Sequence, residues 1–574
     1  MKKLKHISGM IRCGLTALLF VVFQHHAAGQ PKEPRVMVVE RQKPAEWNDL
    51  VPGARFMDLF LPMPDLGGVS AAAWGAANVI PRDTNNGIEA PNWSYWGGNT
   101  LLGKDGKYHL FVCRWPESSQ KGHMAYHDSQ VVHALADTPY GPFKVLEEIG
   151  HGHNPTCYET QSGQYILYVI DKYYQAGNMS GPWEQHTFEF DKRDRKTSKQ
   201  HNFLHNCTFA KREDGSFLMV NRHGHTWLSK DGLDSWNMVG QGSVYPPVEG
   251  KYEDPVVWKD HVQYHLIVND WLGRMAWYMR SKDGVNWKTE PGEAYIPGIS
   301  RHTAGFRENW HKYERMRIVQ DRYGRAIAAN FAVIDTLKYE DLPNDNHSSK
   351  LIVVPLNTGR LLTISSPYKM TAKTKTIELR VAAEAGFDPC KDLDLGTLRF
   401  GASEEVNFGR GCQLIDSRES GKDLILVFDA SGHGFADGSF AGKLLGKTND
   451  GQLLFGYARL PWVSYIEPML SSRAPRFTKS KNGYNIQVEV QNFGQVASKK
   501  SMINVLLLDN DKEVKLASGS VPELGPFEKT TIELSTGRSF KTATAYDIKT
   551  AILTPGTKPV EFTKNIEIQS PHLH

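Results

Sequence analysis

The sequence predicts an all-β protein in which a five-bladed β-propeller is followed by two β-sandwich domains, the last of them immunoglobulin-like. Three observations support this. The 574 residues are 40% hydrophobic and 23% charged, which is typical of a globular chain with several domains. The stretch from about Trp74 to Thr363 repeats a strand–turn–strand unit and has almost no helical periodicity. Alternation with a period of two residues continues beyond it to the C-terminus.

The repeated unit consists of a strand, a turn that usually carries Gly or Asp, and a second apolar-aromatic strand. Its five copies are WGGNTLLGKDGKYHLFV, HNPTCYETQSGQYILYVI, HNCTFAKREDGSFLMVN, YEDPVVWKDHVQYHLIVND and YERMRIVQDRYGRAIAANF. The turns, near Gly106, Gly163, Gly215, His261 and Gly324, are spaced by 57, 52, 46 and 63 residues. These spacings suit four-stranded propeller blades, so we expect five blades over residues 74–365.

The remaining domains are assigned from changes in the pattern of strand and turn residues along the sequence. Residues 366–465 alternate strands with glycine-rich turns and predict a β-sandwich. Residues 466–574 contain YNIQVEVQNFG and INVLLLDND, and they predict an immunoglobulin-like sandwich. Residues 30–73 form an N-terminal extension that we expect either to wrap the propeller or to contact a second subunit.

The first 29 residues have the features of a signal peptide. A basic start precedes an apolar stretch from Gly14 to Phe23, and the small residues Ala27, Ala28 and Gly29 follow. A membrane anchor is the alternative, but about ten apolar residues are too few to span a bilayer. We therefore expect a secreted or periplasmic protein without a membrane span.

Charge and cysteine content limit the classes of partner and of scaffold. The net charge is +4, and four of the 67 basic residues but none of the 63 acidic ones lie in the first 29 positions, so the rest is neutral. A neutral chain lacks the field that holds nucleic acid or anionic membranes, which favours carbohydrate, peptide or small-molecule ligands. The five cysteines after the signal peptide are no disulfide framework. Cys390 and Cys412 either pair with each other or are buried thiols.

A polar ring is expected at one mouth of the propeller channel, where the innermost strands of all blades begin. Counting back from the aromatic residue of each second strand gives Gly97, Asn154, Asn206 and Asp254. In the fifth blade, alignment of the turns gives Glu314. Two acids in such a ring predict a chemically active pocket.

Several motifs at these positions resemble those of five-bladed propeller glycosidases, namely glycoside hydrolase families 43 and 117. They are Glu253-Asp254-Pro255, the His-Asn-Pro of residues 153–155, and Glu314-Arg315 before an Asp-x-x-Gly turn at residues 321–324. The resemblance extends over about 270 residues, and the C-terminal region looks like the sandwich modules appended to secreted bacterial enzymes. It implies an enzyme that hydrolyses O-glycosyl bonds with a carboxylate base, a carboxylic acid and a third, pKa-tuning acid.

The resemblance also implies roles for single residues. Glu314 corresponds to the general acid and Asp254 to the pKa-modulating acid. The family's base is an aspartate in the first blade, where this chain has Gly97. Glu89 and Asp83, just upstream, are the substitutes, and Glu89 is the one we select. Family 117 enzymes use a histidine near the fifth-blade acid as proton donor, and His302 matches that position, as does His311.

Eight residues are expected to contact the substrate: Asn154, Asn206, His153, His205, Trp96, Trp271, Arg301 and Arg307. The tryptophans would stack on sugar rings. The arginines lie in the loop before Glu314, and a guanidinium binds a carboxylate or sulfate with two hydrogen bonds. An anionic substrate is therefore favoured over a neutral one.

Histidines are unusually frequent near the strand starts. The pairs His151-x-His153 and His223-x-His225 would each point to one side of a strand. Together with the ring they could hold a divalent metal, Ca²⁺ or Zn²⁺, at the propeller axis. The alternative is that they are ordinary hydrogen-bonding histidines, so no cofactor is assigned.

These observations predict a secreted glycoside hydrolase that is exo-acting on an anionic, uronic acid or sulfated, oligosaccharide or polysaccharide. Two alternatives remain open. One is a propeller polysaccharide lyase, in which a His or Tyr removes the C5 proton of a uronate. The other is a non-catalytic glycan-binding propeller. The sequence leaves the oligomeric state open.

Overall fold

The computed structural model describes residues 38–568, except 76–77, 189, 191–203, 240–241, 345–348, 367, 372, 510–511 and 542. The signal peptide predicted over residues 1–29 lies outside this part of the chain. The described chain is all-β, as the sequence predicted, and its few helices are short. None of the helices in the described ranges is both long and apolar enough to cross a membrane.

The N-terminal segment contains two short 3₁₀ helices and one pair of antiparallel strands. The helices are Ala45–Asp49 and Phe56–Leu59, and the strands are β1 (Val69–Ser70) and β2 (Arg82–Asp83). Most of this segment has no hydrogen-bonded partner strand of its own, and it lies against the sheets described next.

Five antiparallel sheets follow in sequence order, and in each of them successive strands are neighbours. A further 3₁₀ helix, Gly122–Asp128, connects the second and third strands of the first sheet. The first sheet consists of β3 (Trp93–Leu102), β4 (Tyr108–Pro116), β5 (Gln130–Ala136) and β6 (Lys144–His151), and the second of β7 (Thr156–Glu159), β8 (Tyr165–Val169), β9 (Lys172–Ala176) and β10 (Glu184–His186). The third sheet consists of β11 (Thr208–Lys211), β12 (Phe217–Val220), β13 (Thr226–Ser229) and β14 (Asn237–Val239), and the fourth of β15 (Tyr252–Lys259), β16 (Tyr264–Asp270), β17 (Met275–Ser281) and β18 (Lys288–Tyr295). The fifth sheet has three strands, β19 (Lys312–Gln320), β20 (Ala326–Ile334) and β21 (Ser349–Pro355).

The first strands of the five sheets contact one another in a closed cycle, β3–β7–β11–β15–β19–β3. Side chains of one first strand bind the backbone of the next. Asn99 Oδ1 accepts from Cys157 N at 2.8 Å, and Thr208 Oγ1 accepts from Val257 N at 3.0 Å. The middle strands are apolar on both faces because each sheet packs between two others, and every residue of β16 and β17 is buried.

One residue at the start of each first strand has a left-handed backbone. We call these five the axial ring: Gly97 (φ +49°), Asn154 (+53°), Asn206 (+55°), Asp254 (+57°) and Arg315 (+51°). Gly and Asn adopt this conformation readily, whereas an arginine seldom does. The count from the sequence had placed Glu314 in the fifth position. The ring position is Arg315 instead. The ring residue precedes the turn glycine by nine residues in the first three sheets, and the same spacing counted back from Gly324 gives Arg315.

The segment after the fifth sheet closes into a seven-stranded barrel, where the sequence had predicted a β-sandwich. The barrel closes because β22 pairs in parallel with β28, with Arg360 opposite Gly456. A barrel and a sandwich both bury one face of each strand, so alternation does not distinguish them. Its elements are β22 (Arg360–Ile364), β23 (Thr376–Val381), helix α1 (Pro389–Asp392), β24 (Leu393–Gly401), helix α2 (Ser403–Val406), β25 (Cys412–Ser420), β26 (Asp423–Asp429), β27 (Ala441–Thr448) and β28 (Leu453–Arg459).

The C-terminal region consists of two four-stranded sheets that share one apolar core. In the first sheet β31 pairs with three other strands, and the second has the order β33–β32–β35–β36. Val488, Val505 and Ile548 are fully buried between them. The strands are β29 (Leu470–Ser472), β30 (Arg476–Ser480), β31 (Gly483–Asn492), β32 (Ser501–Asp509), β33 (Lys512–Val521), β34 (Lys529–Thr536), β35 (Thr544–Leu553) and β36 (Val560–Ile568).

The cysteines of the described chain are all free thiols: Cys113, Cys157, Cys207, Cys390 and Cys412. Of the two possibilities that the sequence left open for the last pair, the structure therefore has unpaired thiols. Cys412 is buried and Cys390 is half-buried.

The axial ring makes the stability of the fold sensitive to the size of residue 97. A Cβ atom on Gly97 would lie 2.9 Å from Asn154 Oδ1, whereas a Cβ atom on Gly106, also left-handed at φ +78°, would meet nothing within 4 Å. Gly106→Ala should cost only backbone strain, about 1–2 kcal/mol of unfolding free energy. Gly97→Ala should cost a further 1–3 kcal/mol, roughly, for overpacking. Urea unfolding of both variants measures the difference, and equal losses would contradict the closed ring.

Candidate functional site

The floor of the candidate site is the axial ring, whose side chains form a continuous hydrogen-bonded chain. The Asn154 amide donates to Asn206 Oδ1 at 2.9 Å, and the Asn206 amide donates to Asp254 Oδ1 at 2.8 Å. Arg315 donates to the same Asp254 oxygen at 2.8 Å and to the Asn154 carbonyl at 3.4 Å. All four residues are buried. One guanidinium therefore closes the ring across the axis.

The ion pair of Asp254 and Arg315 fixes a negative charge at the floor. Burial would raise the pKa of Asp254, but the charge of Arg315 and its hydrogen bond outweigh burial and lower it. The Arg315 backbone N–H also donates to Asp254 Oδ2, at 3.2 Å. Asp254 is consequently ionised over the physiological pH range.

A second arginine from β19 occupies the channel next to the ring. The Arg317 guanidinium donates to Thr156 Oγ1 at 3.2 Å, to the Pro255 carbonyl at 3.1 Å and to the Cys207 carbonyl at 3.3 Å. These acceptors belong to the first strands of the fourth and second sheets and to the residue preceding β11. Arg315 and Arg317 together fill the axis where the first strands meet, and they form the base of the candidate site.

The mouth of the pocket is formed by the residues that directly precede the ring positions. They are Trp96, His153, His205, Glu253 and Glu314. Asp254 and Arg315 are bonded to each other, so the two carboxyls that precede them lie on neighbouring strands. Four of these five residues were predicted from the sequence to belong to the site. In the structure each of them directly precedes a residue of the axial ring.

Glu253 is the mouth residue that the sequence analysis did not select. Its Oε1 accepts from the Asn206 amide at 2.8 Å and lies 3.2 Å from the Arg222 guanidinium. Burial raises the pKa of Glu253 to about 7, and the negative charge of Asp254 adds to the effect. Near neutral pH this carboxyl is therefore divided between its acid and its ionised form.

Glu314 has the opposite electrostatic environment. Its carboxylate forms an ion pair with Lys338, and the Lys312 ammonium lies 3.9 Å from its other oxygen. Lys338 comes from the loop after β20, and its Nζ lies 4.7 Å from the centre of the Trp96 ring. Burial alone would lower the pKa of Lys338, but Glu314 raises it. Trp96 is 2% exposed, so this ammonium covers its ring at the mouth.

The two histidines of the mouth have different partners. His153 Nδ1 lies 3.2 Å from Ser129 Oγ and 3.3 Å from Cys113 Sγ. Burial, assisted by the charge of Arg315, lowers the pKa of His153 well below its ordinary value, so the imidazole is neutral. His205 Nε2 lies 3.6 Å from an Asp171 carboxylate oxygen.

Two of the catalytic candidates lie on the other face of the fifth sheet. Glu89 pairs with Arg82 at 3.1 Å and with Lys350 at 3.0 Å. Lys350 is in register with Val333 and through it with Tyr313, the neighbour of Glu314. Adjacent residues of a strand point to opposite faces, so the structure does not bring Glu89 to Glu314.

His302 belongs to this same buried cluster. Its Nε2 lies 3.0 Å from Glu308 Oε1, and the other oxygen of Glu308 accepts from the Trp310 indole at 2.7 Å. His302 is 4% exposed and has no contact with the mouth residues in the described part of the chain. Its proposed role as a proton donor would require access that this packing does not provide.

The aromatic and basic candidates are divided between the mouth and the surface. Trp271 lies in the turn after β16, and the Lys312 ammonium is 5.1 Å from the centre of its ring. Arg301 and Arg307 are exposed and face each other across a β-bridge in the loop before β19. The structure therefore places Trp271 beside the acids and leaves Arg301 and Arg307 apart from them.

The axial ring offers poor ligands for the metal that the sequence suggested. Within the described ranges no group of three or more His, Cys, Asp or Glu side chains could hold a metal ion. The Asp254 oxygen that would bind a cation already accepts from Arg315 and from Asn206. The His223 and His225 ring centres are 6.1 Å apart. Binding of Ca²⁺ or Zn²⁺ stays a prediction, and no catalytic step is derived from it.

The functional residues missed by the sequence analysis are of two kinds. Glu253 could have been found from the sequence, because it directly precedes Asp254. The residues that precede the ring positions in the first three segments, Trp96, His153 and His205, had all been selected. Lys338 and Arg222 had none, since both lie in connecting segments outside the repeated strand pattern. Their place in the site depends on how those segments fold back over the mouth.

The raised pKa of Glu253 predicts a pH dependence of stability. The group binds its proton more tightly in the folded than in the unfolded chain, so its contribution falls as pH rises from about 4.5 to about 7, by up to about 3 kcal/mol. Glu253→Gln removes this loss. The change that it causes in the free energy of unfolding should therefore be more stabilising at pH 8 than at pH 4. Chemical unfolding at both pH values tests this. Glu249→Gln, whose side chain is 91% exposed, is the control. An effect of Glu253→Gln that is equal at both pH values would contradict the shift.

Comparisons with known proteins give structural likeness without sequence similarity. No protein family matches the chain, and no curated protein matches its sequence. A solved structure described as a glycoside hydrolase is 9% identical, covers 82% of this chain and 97% of its own, and has a TM-score of 0.35. A protein of unknown function from Dyadobacter fermentans is 11% identical, covers 55% of this chain and 95% of its own, and has a TM-score of 0.30.

Family 43 glycoside hydrolases are also among the similar structures. One from Bacillus licheniformis is 8% identical, covers 83% of this chain and 90% of its own, and has a TM-score of 0.28. Because all three TM-scores lie below 0.5, we base the functional inference on the geometry of the axial site alone.

Proposed function

We propose that this protein is a glycoside hydrolase whose active site is the mouth above the axial ring. The observation that carries the proposal is the pair of carboxyls on neighbouring strands with opposite environments. Glu253 has a pKa raised to about 7, and Glu314 is paired with Lys338. Hydrolysis of a glycosidic bond needs one protonated and one ionised carboxyl on the two sides of the bond.

In this mechanism Glu253 is the general acid and gives its proton to the leaving-group oxygen. A pKa near the working pH is the optimum for proton transfer. Glu314, which is paired with Lys338, activates a water molecule or attacks the anomeric carbon. The resemblance to families 43 and 117 gives the acid role to Glu314, and the electrostatics of this chain favour the reverse assignment.

Asp254 has the supporting role in this mechanism. Its charge, fixed by Arg315, lies next to Glu253 in the chain and raises the energy of a second negative charge there. The carboxyl of Glu253 thus keeps its proton until the leaving oxygen develops negative charge. Asp254 itself shares its oxygens with Asn206 and Arg315 and is not the proton donor.

The architecture supports the finer features of the proposal. We infer that the five sheets, from Trp93 to Pro355, are the blades of a propeller, and that the barrel beginning at Arg360 and an immunoglobulin-like region at 466–574 are accessory domains. A site whose base is filled by Arg315 and Arg317 suits exo-action on a chain end. The excess of basic side chains at the mouth suits an anionic oligosaccharide. The basic and apolar N-terminus suits export to the periplasm or beyond.

A polysaccharide lyase is the second candidate, and one observation favours it. The neutral imidazole of His153 lies against the Tyr126 ring, with 4.6 Å between ring centres, and the charge of Arg222, which pairs with Glu253, acts on the pKa of Tyr126. A neutral base with a nearby arginine is what removal of the C5 proton of a uronate requires. Reducing ends formed without the absorbance of an unsaturated uronate identify the hydrolase, whereas that absorbance identifies the lyase. Binding without either product identifies a glycan-binding protein.

Amide substitution of the two mouth carboxyls tests the hydrolase. Glu253→Gln and Glu314→Gln should each lower kcat by roughly 10² or more while the Tm stays within a few degrees, since each removes proton transfer or nucleophilic attack. In the wild type, kcat should fall as pH rises above about 7, because Glu253 then loses the proton it donates. Release of reducing ends from uronic acid oligosaccharides is the measurement.

Two further variants make this test specific. Glu148→Gln, on the outer strand of the first sheet and 44% exposed at its side chain, should keep wild-type kcat. Glu89→Gln distinguishes Glu89 from Glu253 as the carboxyl that acts together with Glu314. Loss of turnover in Glu89→Gln with wild-type turnover in Glu253→Gln would return the role to Glu89 and overturn the mechanism.

A further inference from the structure

Two basic side chains at the mouth lack a carboxylate within hydrogen-bond distance in the described part of the chain. The Lys312 side chain is 9% exposed, and its ammonium makes no hydrogen bond within the described ranges. The Glu314 oxygen at 3.9 Å is beyond hydrogen-bond distance. The contacts of this ammonium are thus a long ion pair and the Trp271 ring, 5.1 Å from it, which leaves its hydrogen-bond donors available to an anion.

Arg274 is the second such group. Its NH1 donates to the His311 carbonyl at 3.2 Å and lies 3.4 Å from His311 Nδ1, both of them neutral acceptors. No carboxylate of the described residues pairs with it. It occupies the left-handed position of the turn between β16 and β17, at φ +50°.

The position of the two groups relates them to the reacting carboxyls. Lys312 and Glu314 are two residues apart on β19 and therefore share a face. The Lys312 ammonium lies over the Trp271 ring, and Trp271 and Arg274 belong to the same turn between β16 and β17. A cationic pair thus stands beside an aromatic ring at the edge of the pocket.

The charge balance of the mouth favours an anion there. Four basic side chains surround the two carboxyls: Arg222, Arg274, Lys312 and Lys338. Arg222 and Lys338 are neutralised by Glu253 and Glu314. Lys312 and Arg274 remain in excess, and when Glu253 is protonated the excess increases further.

We propose that Lys312 and Arg274, beside the Trp271 ring, form the subsite that binds the acidic group of the substrate, a sugar carboxylate or sulfate. This deepens the proposed function and rests on it for the location of the scissile bond. The subsite replaces Arg301 and Arg307, to which the sequence had assigned charge recognition. The sugar ring stacks on Trp271, and its anionic group accepts from the ammonium and from the free guanidinium nitrogens.

Binding of three probes to the Glu314→Gln protein tests the subsite without turnover. The probes are D-glucuronate, D-glucose 6-sulfate and D-glucose, titrated by calorimetry at low and high salt. We expect the preferred anionic probe to bind about tenfold or more tightly than glucose, with the preference reduced by salt. Tighter binding of glucuronate identifies a carboxylate site, and tighter binding of the sulfate ester identifies a sulfate site.

Variants in the same background locate the subsite. Lys312→Met and Arg274→Gln should each abolish the preference for the anionic probe. Arg322→Gln, an exposed arginine in the turn between β19 and β20, should keep it. Arg274→Gln is the second, less buried variant in case Lys312→Met fails to fold. Equal affinity for glucose and both anions, or loss of the preference in Arg301→Gln but not in Arg274→Gln, would overturn the subsite.

The outcome is separable from that of the hydrolase. Selective binding of an anion by Glu314→Gln, with no product formed by the wild type from any uronic acid or sulfated oligosaccharide, keeps the subsite and rejects the hydrolase. Hydrolysis by the wild type without any selectivity for anions keeps the hydrolase and rejects the subsite.

Discussion

The ion pair between Arg315 and Asp254 is the interaction on which the rest of the site depends. Five left-handed residues meet on the axis, and a buried aspartate among them would be strongly unfavourable without a compensating charge. Arg315 supplies that charge and also reaches the Asn154 carbonyl, so a single side chain of the fifth sheet joins the second and fourth. The cost of a left-handed arginine is offset by these bonds. The floor of the pocket is rigid for this reason.

The same pair creates the asymmetry between the two reactive carboxyls. Glu253 precedes the negative member of the pair, and Glu314 precedes the positive one. The fixed charge of Asp254 opposes ionisation of Glu253, while Lys338, from the loop after β20, pairs with Glu314. Two glutamates at equivalent positions thus have different electrostatic environments. The arrangement needs no difference in residue type, and the environment alone assigns the roles.

Much of the fold could be predicted from the spacing of turns, and part of the site from the count along each strand. The five sheets follow the five repeated segments, and four of the five ring positions were located. The fifth was displaced by one residue because its segment lacks the aromatic residue used for the count, although the nine-residue spacing to the turn glycine in the first three sheets gives Arg315. Closure of the barrel by β22 and β28 is a pairing between distant segments that alternation does not encode. Lys338 and Arg274 lie in turns, where no periodicity reports which way a side chain points.

The buried cluster behind the fifth sheet gives Glu89 and His302 a structural role. This sheet has three strands, so β21 would leave an unpaired edge. The N-terminal segment covers that edge, because Leu61 N donates to the Pro355 carbonyl at 2.9 Å and Ile88 bridges Leu351. Glu89 follows this bridge and pairs with Lys350 on β21. Buried charge therefore holds the covering segment in place on one face of the sheet. The other face is free to carry Lys312 and Glu314 towards the pocket.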